Sequence, residues 1–162
     1  MIRSYEFSFT SHLAAPAAVL WVHATSMDGV NRELWPLVQM TYPANVTALE
    51  AATIPLGQRL FRSWILLFGI LPIDYDDLTF VEIDIGSRFL ERSPMLTQRE
   101  WQHQRTIEPL DEGCTVTDSI RFTPRLPGIG AFLLPIFRLA FRLRHRNLRR
   151  LFGQARANTA GR

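Results

Sequence analysis

The alternation of apolar and polar residues is clearest in two segments, residues 101–107 and 114–122. Side chains of a β-strand point alternately to opposite faces, so every second residue shares a face. In the second segment, the row that we expect to be buried consists of Cys114, Val116, Asp118, Ile120 and Phe122. In the first segment, it consists of Trp101, His103, Arg105 and Ile107. The pattern predicts two strands that carry charged residues within apolar rows.

Residues 109–112, Pro-Leu-Asp-Glu, lie between these segments and predict a short hairpin loop. With Glu108 opposite Gly113, the hairpin places His103 directly across from Asp118. A slip of one residue would turn every side chain of one strand to the wrong face. Only this register, or one two residues away, therefore fits both alternations.

The preceding segment adds a second carboxylate. A turn around residues 93–95 folds Phe89–Ser93 back alongside Trp101 and brings Glu91 to His103 and Asp118. A buried carboxylate is costly unless a partner compensates it. The three residues predict either a site for acid–base chemistry or a structural hydrogen-bond network without chemistry.

The rest of the chain predicts further elements on both sides of this hairpin. Tyr5, Phe7 and Phe9 alternate with polar residues and indicate a first strand. A helix beginning at Ala15-Pro16 runs to about Thr25, and a second spans residues 29–34. Strands follow at residues 37–42, 60–68 and 78–85, but the nearly all-apolar segment 60–68 has no alternation that assigns its faces.

Residues 131–153 predict the longest helix, which is amphipathic. Its apolar side needs cover, and the concave face of the sheet is the only large candidate. The order of elements predicts an α+β fold in which a curved antiparallel sheet wraps around the long C-terminal helix, with two short helices after the first strand. Such a fold can enclose a cavity. We expect one domain over residues 1–153 and a disordered tail over residues 154–162.

Charge is distributed unevenly along the 162 residues. The chain has no lysine, and no acidic residue follows Asp118, whereas arginines continue to Arg162. The basic face of the C-terminal helix is either a solvated surface or a docking site for an anionic membrane or a partner. Its arginines are not interleaved with exposed stacking aromatics, so we expect no nucleic-acid partner.

Other chemical signals are sparse. The single cysteine, Cys114, excludes an internal disulfide and a cysteine-based zinc site. Residues 74–77, Asp-Tyr-Asp-Asp, lack the spacing and glycine of a calcium loop, and we interpret them as a solvated turn. We expect no metal and no cofactor. The chain shows no secretion signal and no apolar run that could span a bilayer, which predicts a cytoplasmic protein.

Four motifs resemble those of the SRPBCC superfamily, which includes START domains, Bet v 1-like allergens and polyketide cyclase/dehydrases and has a helix-grip fold. The likeness is greatest to small bacterial cyclase/dehydrase-like proteins. The motifs here are Phe89-Leu90-Glu91, Trp101-Gln102-His103, Thr115-Val116-Thr117-Asp118 and Arg144-His145-Arg146-Asn147-Leu148. Where relatives usually carry Gly-Pro after the first motif, this chain has Ser93-Pro94-Met95, so the loop beside the pocket differs.

The resemblance and the aromatic rows imply that an internal cavity binds an apolar or amphipathic small molecule, such as a lipid, a polyketide or an aromatic metabolite. The residues expected to line it are Trp64, Phe89, Trp101, Arg105, Ile120, Phe122, Phe137 and Phe141. A second hypothesis is a cyclase or dehydratase in which His103 is the general base and Asp118 or Glu91 orients it or donates a proton. A third is an accessory protein that docks through its basic C-terminal helix.

Overall fold

The computed structural model describes residues 3–46, 48–49 and 53–155. These residues form seven strands and three helices. In chain order they are β1 (Tyr5–Leu13), α1 (Ala17–Ala24), α2 (Met27–Leu34), β2 (Val38–Met40), β3 (Arg59–Leu67), β4 (Leu71–Asp84), β5 (Arg88–Ser93), β6 (Gln98–Pro109), β7 (Cys114–Pro124) and α3 (Ile129–Phe152).

The strands form one antiparallel sheet in the order β1-β7-β6-β5-β4-β3-β2. The sheet curls into a half-barrel around α3, and α1 and α2 follow the first strand, as predicted. Helix α3 packs along β1 and α2. No helix within the described ranges is long and apolar enough to cross a bilayer.

Local signals explain where the helices begin. Ser26 caps α2 because its hydroxyl accepts a hydrogen bond from the amide of Gly29, at 3.0 Å. Gly128, with a φ of +83°, precedes α3 in the left-handed conformation that glycine adopts without strain. These caps fix the directions in which α2 and α3 approach the concave face of the sheet.

The register of the β6–β7 hairpin differs from the predicted one by two residues. Arg105, rather than His103, lies directly across from Asp118, and His103 lies across from Ile120. The reason is the turn: Gly113 has a φ of +96° and belongs to the loop, which the amide of Leu110 closes on the carbonyl of Gly113. The observed register is the other one compatible with both alternations, so every side chain keeps its predicted face.

Strand β4 begins seven residues before the predicted start and includes residues 74–77, so the solvated-turn interpretation is wrong. Asp74 and Asp76 share the buried face with Leu78 and Phe80. Asp77 points outward and accepts two hydrogen bonds from Arg62, at 2.8 and 2.9 Å. The alternation continues through the acidic segment because Asp74 accepts a hydrogen bond from the amide of Leu96 on the buried face and Asp77 accepts from Arg62 on the outer face.

The predicted tail begins with two residues that still contact the sheet. Gln154 pairs with Leu13 at the end of β1. The amide of Ala155 donates a hydrogen bond to the carbonyl of His12, at 3.2 Å. Residues 156–162, the rest of that predicted tail, lie outside the described residues.

Candidate functional site

Eight ionisable side chains meet in the interior between the sheet, α2 and α3. They form the buried ionic cluster: Glu33, Asp76, Glu91, His103, Arg105, Asp118, Arg144 and His145. Each has at most 6% of its surface exposed. Charged groups rarely lose this much solvent unless they are paired, so their partners determine what the cluster can do.

Asp118 is the centre of the cluster. Arg105 donates to both of its oxygens, from Nε at 2.8 Å and from Nη2 at 2.7 Å. The Nε2 atom of His103 lies 2.7 Å from Oδ1, and the Nε2 atom of His145 lies 3.0 Å from Oδ2. Burial alone would raise the pKa of Asp118, but the charge and hydrogen bonds of Arg105 and His103 lower it well below its ordinary value.

Glu33 connects both helices to the sheet. Arg105 donates to its two carboxylate oxygens at 2.8 Å each, and Arg144 of α3 donates a further bond to Oε2. Burial opposes ionisation, yet the two guanidinium groups lower the pKa of Glu33 far below its usual range. Asn147 of α3 also donates to the backbone carbonyl of Glu33, at 2.9 Å. The cluster therefore fixes the C-terminal half of α3 to α2.

The other end of the cluster is a carboxyl pair beside His103. The Nδ1 atom of His103 lies 3.6 Å from Glu91 Oε2, and Ser93 donates to Glu91 Oε1 at 2.9 Å. Burial would raise the pKa of Glu91, but its contacts with His103 lower it. Burial and the neighbouring Glu91 carboxylate raise the pKa of Asp76 well above its ordinary value. This end thus combines an imidazole with two carboxyl groups whose pKa values are shifted in opposite directions, that of Glu91 down and that of Asp76 up.

The ionic cluster separates two apolar clusters along β6, β7 and α3. On β6, Trp101 lies on one side of His103 and Arg105, and Ile107 lies on the other. On α3, Phe141 and Leu148 flank the charged residues in the same way. The interior therefore has a polar layer between two apolar regions.

Four of the predicted lining residues form one aromatic cluster: Trp101, Phe122, Phe137 and Phe141. The ring centroid of Phe137 lies 4.9 Å from that of Phe122 and 5.2 Å from that of Trp101. Phe141 lies 5.4 Å from the ring of His103, so this cluster adjoins the polar layer. Its side chains fill the space that the sequence predicts for a ligand. Ile120 packs in the same region.

The remaining predicted lining residues lie elsewhere. Phe89 belongs to the other apolar region, with its ring 5.4 Å from Phe80 and 5.4 Å from His103. Beside it is a void of about 10 Å³, room for a single water molecule. Trp64 lies on the outer face of the sheet, with its ring centroid 5.6 Å from that of Tyr75 in an edge-on arrangement. Arg105 donates its hydrogen bonds to Glu33 and Asp118, as described above.

Sequence reasoning did not assign Glu33, Asp76, Arg144 or His145 to the site, although Arg144 and His145 belong to the fourth motif. One signal was available for α3: Phe141, Arg144, His145 and Leu148 follow the i, i+3, i+4, i+7 spacing of a buried helical face. No comparable signal marks Glu33, because its partners come from distant elements. In the described part of the chain, no group of three or more His, Cys, Asp or Glu side chains is arranged to hold a metal ion.

Comparison with known proteins assigns the family. Residues 11–152 match the family described as a domain of unknown function, DUF8410, and the chain belongs to this family. No protein of curated function matches the sequence.

Solved structures with the same fold come from several bacteria. A protein from Chromobacterium violaceum has a TM-score of 0.68 at 13% identity, over 93% of this chain and 98% of its own. A START superfamily protein from Mycobacterium smegmatis has a TM-score of 0.63 at 9% identity, over 91% and 96%. The ZhuI aromatase/cyclase from Streptomyces sp. R1128 has a TM-score of 0.60 at 13% identity, over the whole of both chains. These similarities establish the START-like, polyketide cyclase-like fold that the motifs indicated.

Proposed function

We propose that the protein binds an amphipathic small molecule between α3 and the sheet, with its apolar part in the aromatic cluster and its polar end at His103. One observation carries this proposal: the aromatic cluster directly adjoins the buried ionic cluster, with Phe141 5.4 Å from His103. A site of this kind matches a molecule that has both an apolar body and a polar group. The neighbours described as a START superfamily protein and as an aromatase/cyclase share the fold and support the binding of an apolar molecule.

Entry of such a ligand requires the N-terminal half of α3 to move. The C-terminal half is held by ionic contacts of Arg144 and His145, whereas the N-terminal half rests on aromatic packing. Phe132, Ile136 and Leu139 on that half remain exposed. Outward movement would therefore break few directional bonds, and a ligand would replace the lost apolar contacts.

Displacement of an environment-sensitive apolar dye by a long-chain fatty acid tests this proposal. Phe137→Ser should weaken dye binding by about tenfold or more, since it removes a large apolar side chain from the site. Phe132→Ser, an exposed phenylalanine on the opposite side of the same helix, should leave binding unchanged. Absence of binding to the unmodified protein, or equal loss in both variants with unchanged melting temperature, would contradict the proposal.

A second candidate function is acid–base catalysis on the bound molecule. The observation that favours it is the carboxyl pair: burial and the neighbouring Glu91 raise the pKa of Asp76, and Nδ1 of His103 lies 3.6 Å from Glu91 Oε2. His103 would remove a proton from the substrate, and Asp76 would supply one to a leaving oxygen.

A poly-β-ketone thioester, incubated with the protein and followed by mass spectrometry, tests the catalytic alternative. His103→Gln should bind the dye normally and lose turnover by about a hundredfold or more. If the unmodified protein binds the thioester without cyclising or dehydrating it, the catalytic alternative is wrong and the binding function stands.

A further inference from the structure

The tip of the β3–β4 hairpin exposes a group of large apolar side chains. Ile70 is 84% exposed, more than any other large apolar side chain in the described residues, and Phe68 and Leu71 beside it are 59% and 58% exposed. Single exposed apolar residues are common on protein surfaces, whereas neighbouring ones mark a surface that contacts something else. The hairpin tip is thus a candidate docking element.

The backbone of the turn supports this interpretation. Phe68 has a φ of +52° and Gly69 a φ of +73°, and the turn is closed by a 3.1 Å hydrogen bond from the amide of Ile70 to the carbonyl of Leu67. Asn, Asp and Gly are the usual residues at such left-handed positions. A phenylalanine here is conformationally unfavourable, and 59% of its surface stays exposed. A large apolar side chain at such a position favours a contact outside the folded chain.

Trp35 extends the apolar surface from the tip to α3. A Cβ atom on Gly69 would lie 3.7 Å from the Trp35 ring, so the tip and the indole are neighbours. The carbonyl of Trp35 accepts a 2.6 Å hydrogen bond from Asn147 of α3. More than half of the Trp35 surface is exposed. The tip, the indole and this part of α3 therefore form one side of the molecule.

Three exposed arginines flank this side. Arg32 lies in the last turn of α2, three residues before Trp35, and Arg146 and Arg150 lie one residue before and three after Asn147. None of the three forms an ion pair with another residue in the described part of the chain. Their charge is available to an anionic surface.

We propose that this side of the molecule docks on an anionic phospholipid bilayer. Phe68, Ile70 and Leu71 enter the acyl boundary, Trp35 lies at the headgroup level where indoles concentrate, and the arginines contact lipid phosphates. A second copy fits less well, because a two-fold contact on this side would bring the same unpaired arginines together. The proposal goes beyond ligand binding and does not depend on it.

Vesicle cosedimentation tests the docking. The unmodified protein should bind vesicles that mix phosphatidylcholine with phosphatidylserine, and it should bind vesicles of phosphatidylcholine alone much more weakly. High salt should release the protein from the mixed vesicles. Ile70→Ser should lower the partition coefficient about tenfold. The matched control is Ile85→Ser, which removes a similarly exposed isoleucine, 67% accessible, at the opposite end of β4. The triple variant Arg32→Gln, Arg146→Gln, Arg150→Gln should lose the preference for phosphatidylserine.

Both isoleucines are exposed, so neither single variant should change the melting temperature, and unfolding can be excluded directly. No binding to anionic vesicles, or equal loss in Ile70→Ser and Ile85→Ser, would overturn the proposal. Sedimentation velocity without lipid supplies the other decisive outcome. A concentration-dependent dimer that Ile70→Ser abolishes would identify the tip as an interface between two copies and would also overturn membrane docking.

Discussion

Arg105 lies directly across from Asp118 on the neighbouring strand and donates two hydrogen bonds to its carboxylate, at 2.8 and 2.7 Å. The remaining donors of Arg105 bind Glu33 of α2. One guanidinium group thus uses its planar fork on two carboxylates in a region without solvent. This arrangement joins the centre of the sheet to α2 and, through the Arg144 contact with Glu33, to α3.

Arg105→Lys should destabilise the protein although it preserves the charge. A lysine has a single nitrogen and cannot make the four hydrogen bonds that Arg105 makes. Oxygens of Asp118 and Glu33 would lose partners in a buried site, so we expect the free energy of unfolding in urea to fall by about 2 to 4 kcal/mol. Arg121→Lys on the outer face of β7 is the control and should change it by less than about 0.5 kcal/mol. Equal effects would show that Arg105 is not a structural centre.

Two isosteric substitutions, Asp118→Asn and Asp76→Asn, should have different effects. Asp118 is ionised and bound to a buried arginine, so its replacement leaves positive charge uncompensated and should cost about 3 to 5 kcal/mol. Burial and Glu91 raise the pKa of Asp76, which favours its neutral acid form, and an amide resembles that form. Asp76→Asn should therefore change stability at neutral pH by no more than about 1 kcal/mol.

The measurement for both aspartates is urea unfolding at neutral pH. Asp84→Asn offers a control at the end of the same strand, where Arg88 and Asp84 form a solvent-exposed pair of small energetic value. If Asp76→Asn proves as costly as Asp118→Asn, the carboxyl group of Asp76 is ionised and the acid role assigned to it in catalysis is wrong.

The fold and part of the candidate site could be predicted from the sequence. Strict alternation around His103 and Asp118 assigned both residues to the buried face, and the contact of 2.7 Å exists although the register is two residues away from the predicted one. The face of the sheet that a side chain occupies depends on the alternation of residues along a single strand, and the sequence shows this alternation directly. Register depends on the turn, and the decisive fact was that Gly113 adopts the left-handed conformation and belongs to the loop, whereas the predicted hairpin pairs it with Glu108.

The partners of Arg105 could not be predicted in the same way. The sequence placed Arg105 in an apolar row as a residue lining the ligand site, and its pairing with Asp118 on the next strand was not predicted. Glu33 is 72 residues away and lies on a short helix whose direction follows from the Ser26 cap. Trp64 illustrates a different limit, because the nearly all-apolar β3 gives no alternation that distinguishes the ligand side from the outer face.

Stability should fall as the pH drops below about 5, toward the low native pKa values of Glu33 and Asp118. The sign follows from the lowered pKa values: the unfolded chain takes up protons near its ordinary carboxyl pKa of about 4, whereas the native carboxylates stay ionised. The contribution of Asp76 has the opposite sign. Its pKa is raised, so its stabilising effect is present at low pH and is lost as the pH rises through the native pKa.

The free energy of unfolding in urea, measured from acidic to alkaline pH, checks the direction of both effects on stability. Asp118→Asn should flatten the acid limb, because the substituted side chain no longer takes up a proton on unfolding. Asp76→Asn should gain stability relative to the unmodified protein as the solution becomes alkaline. A stability that does not change between neutral and acidic pH would contradict the ionic assignments of Glu33 and Asp118.

Hydrogen exchange should divide α3 into two parts. Residues 142–150 are anchored by Arg144, His145 and Asn147 to α2 and the sheet, and opening there would break several buried polar contacts. Residues 132–140 depend mainly on the packing of Phe137, so their amides should exchange about tenfold faster or more. Mass spectrometry of peptic fragments measures both parts in one sample, with the C-terminal part as the internal control.

A bound fatty acid should slow exchange first in the N-terminal part, because the ligand replaces the apolar contacts that opening removes. Uniform protection along α3, unchanged by a ligand that demonstrably binds, would mean that the ligand enters by another route and that the N-terminal half of α3 does not open separately.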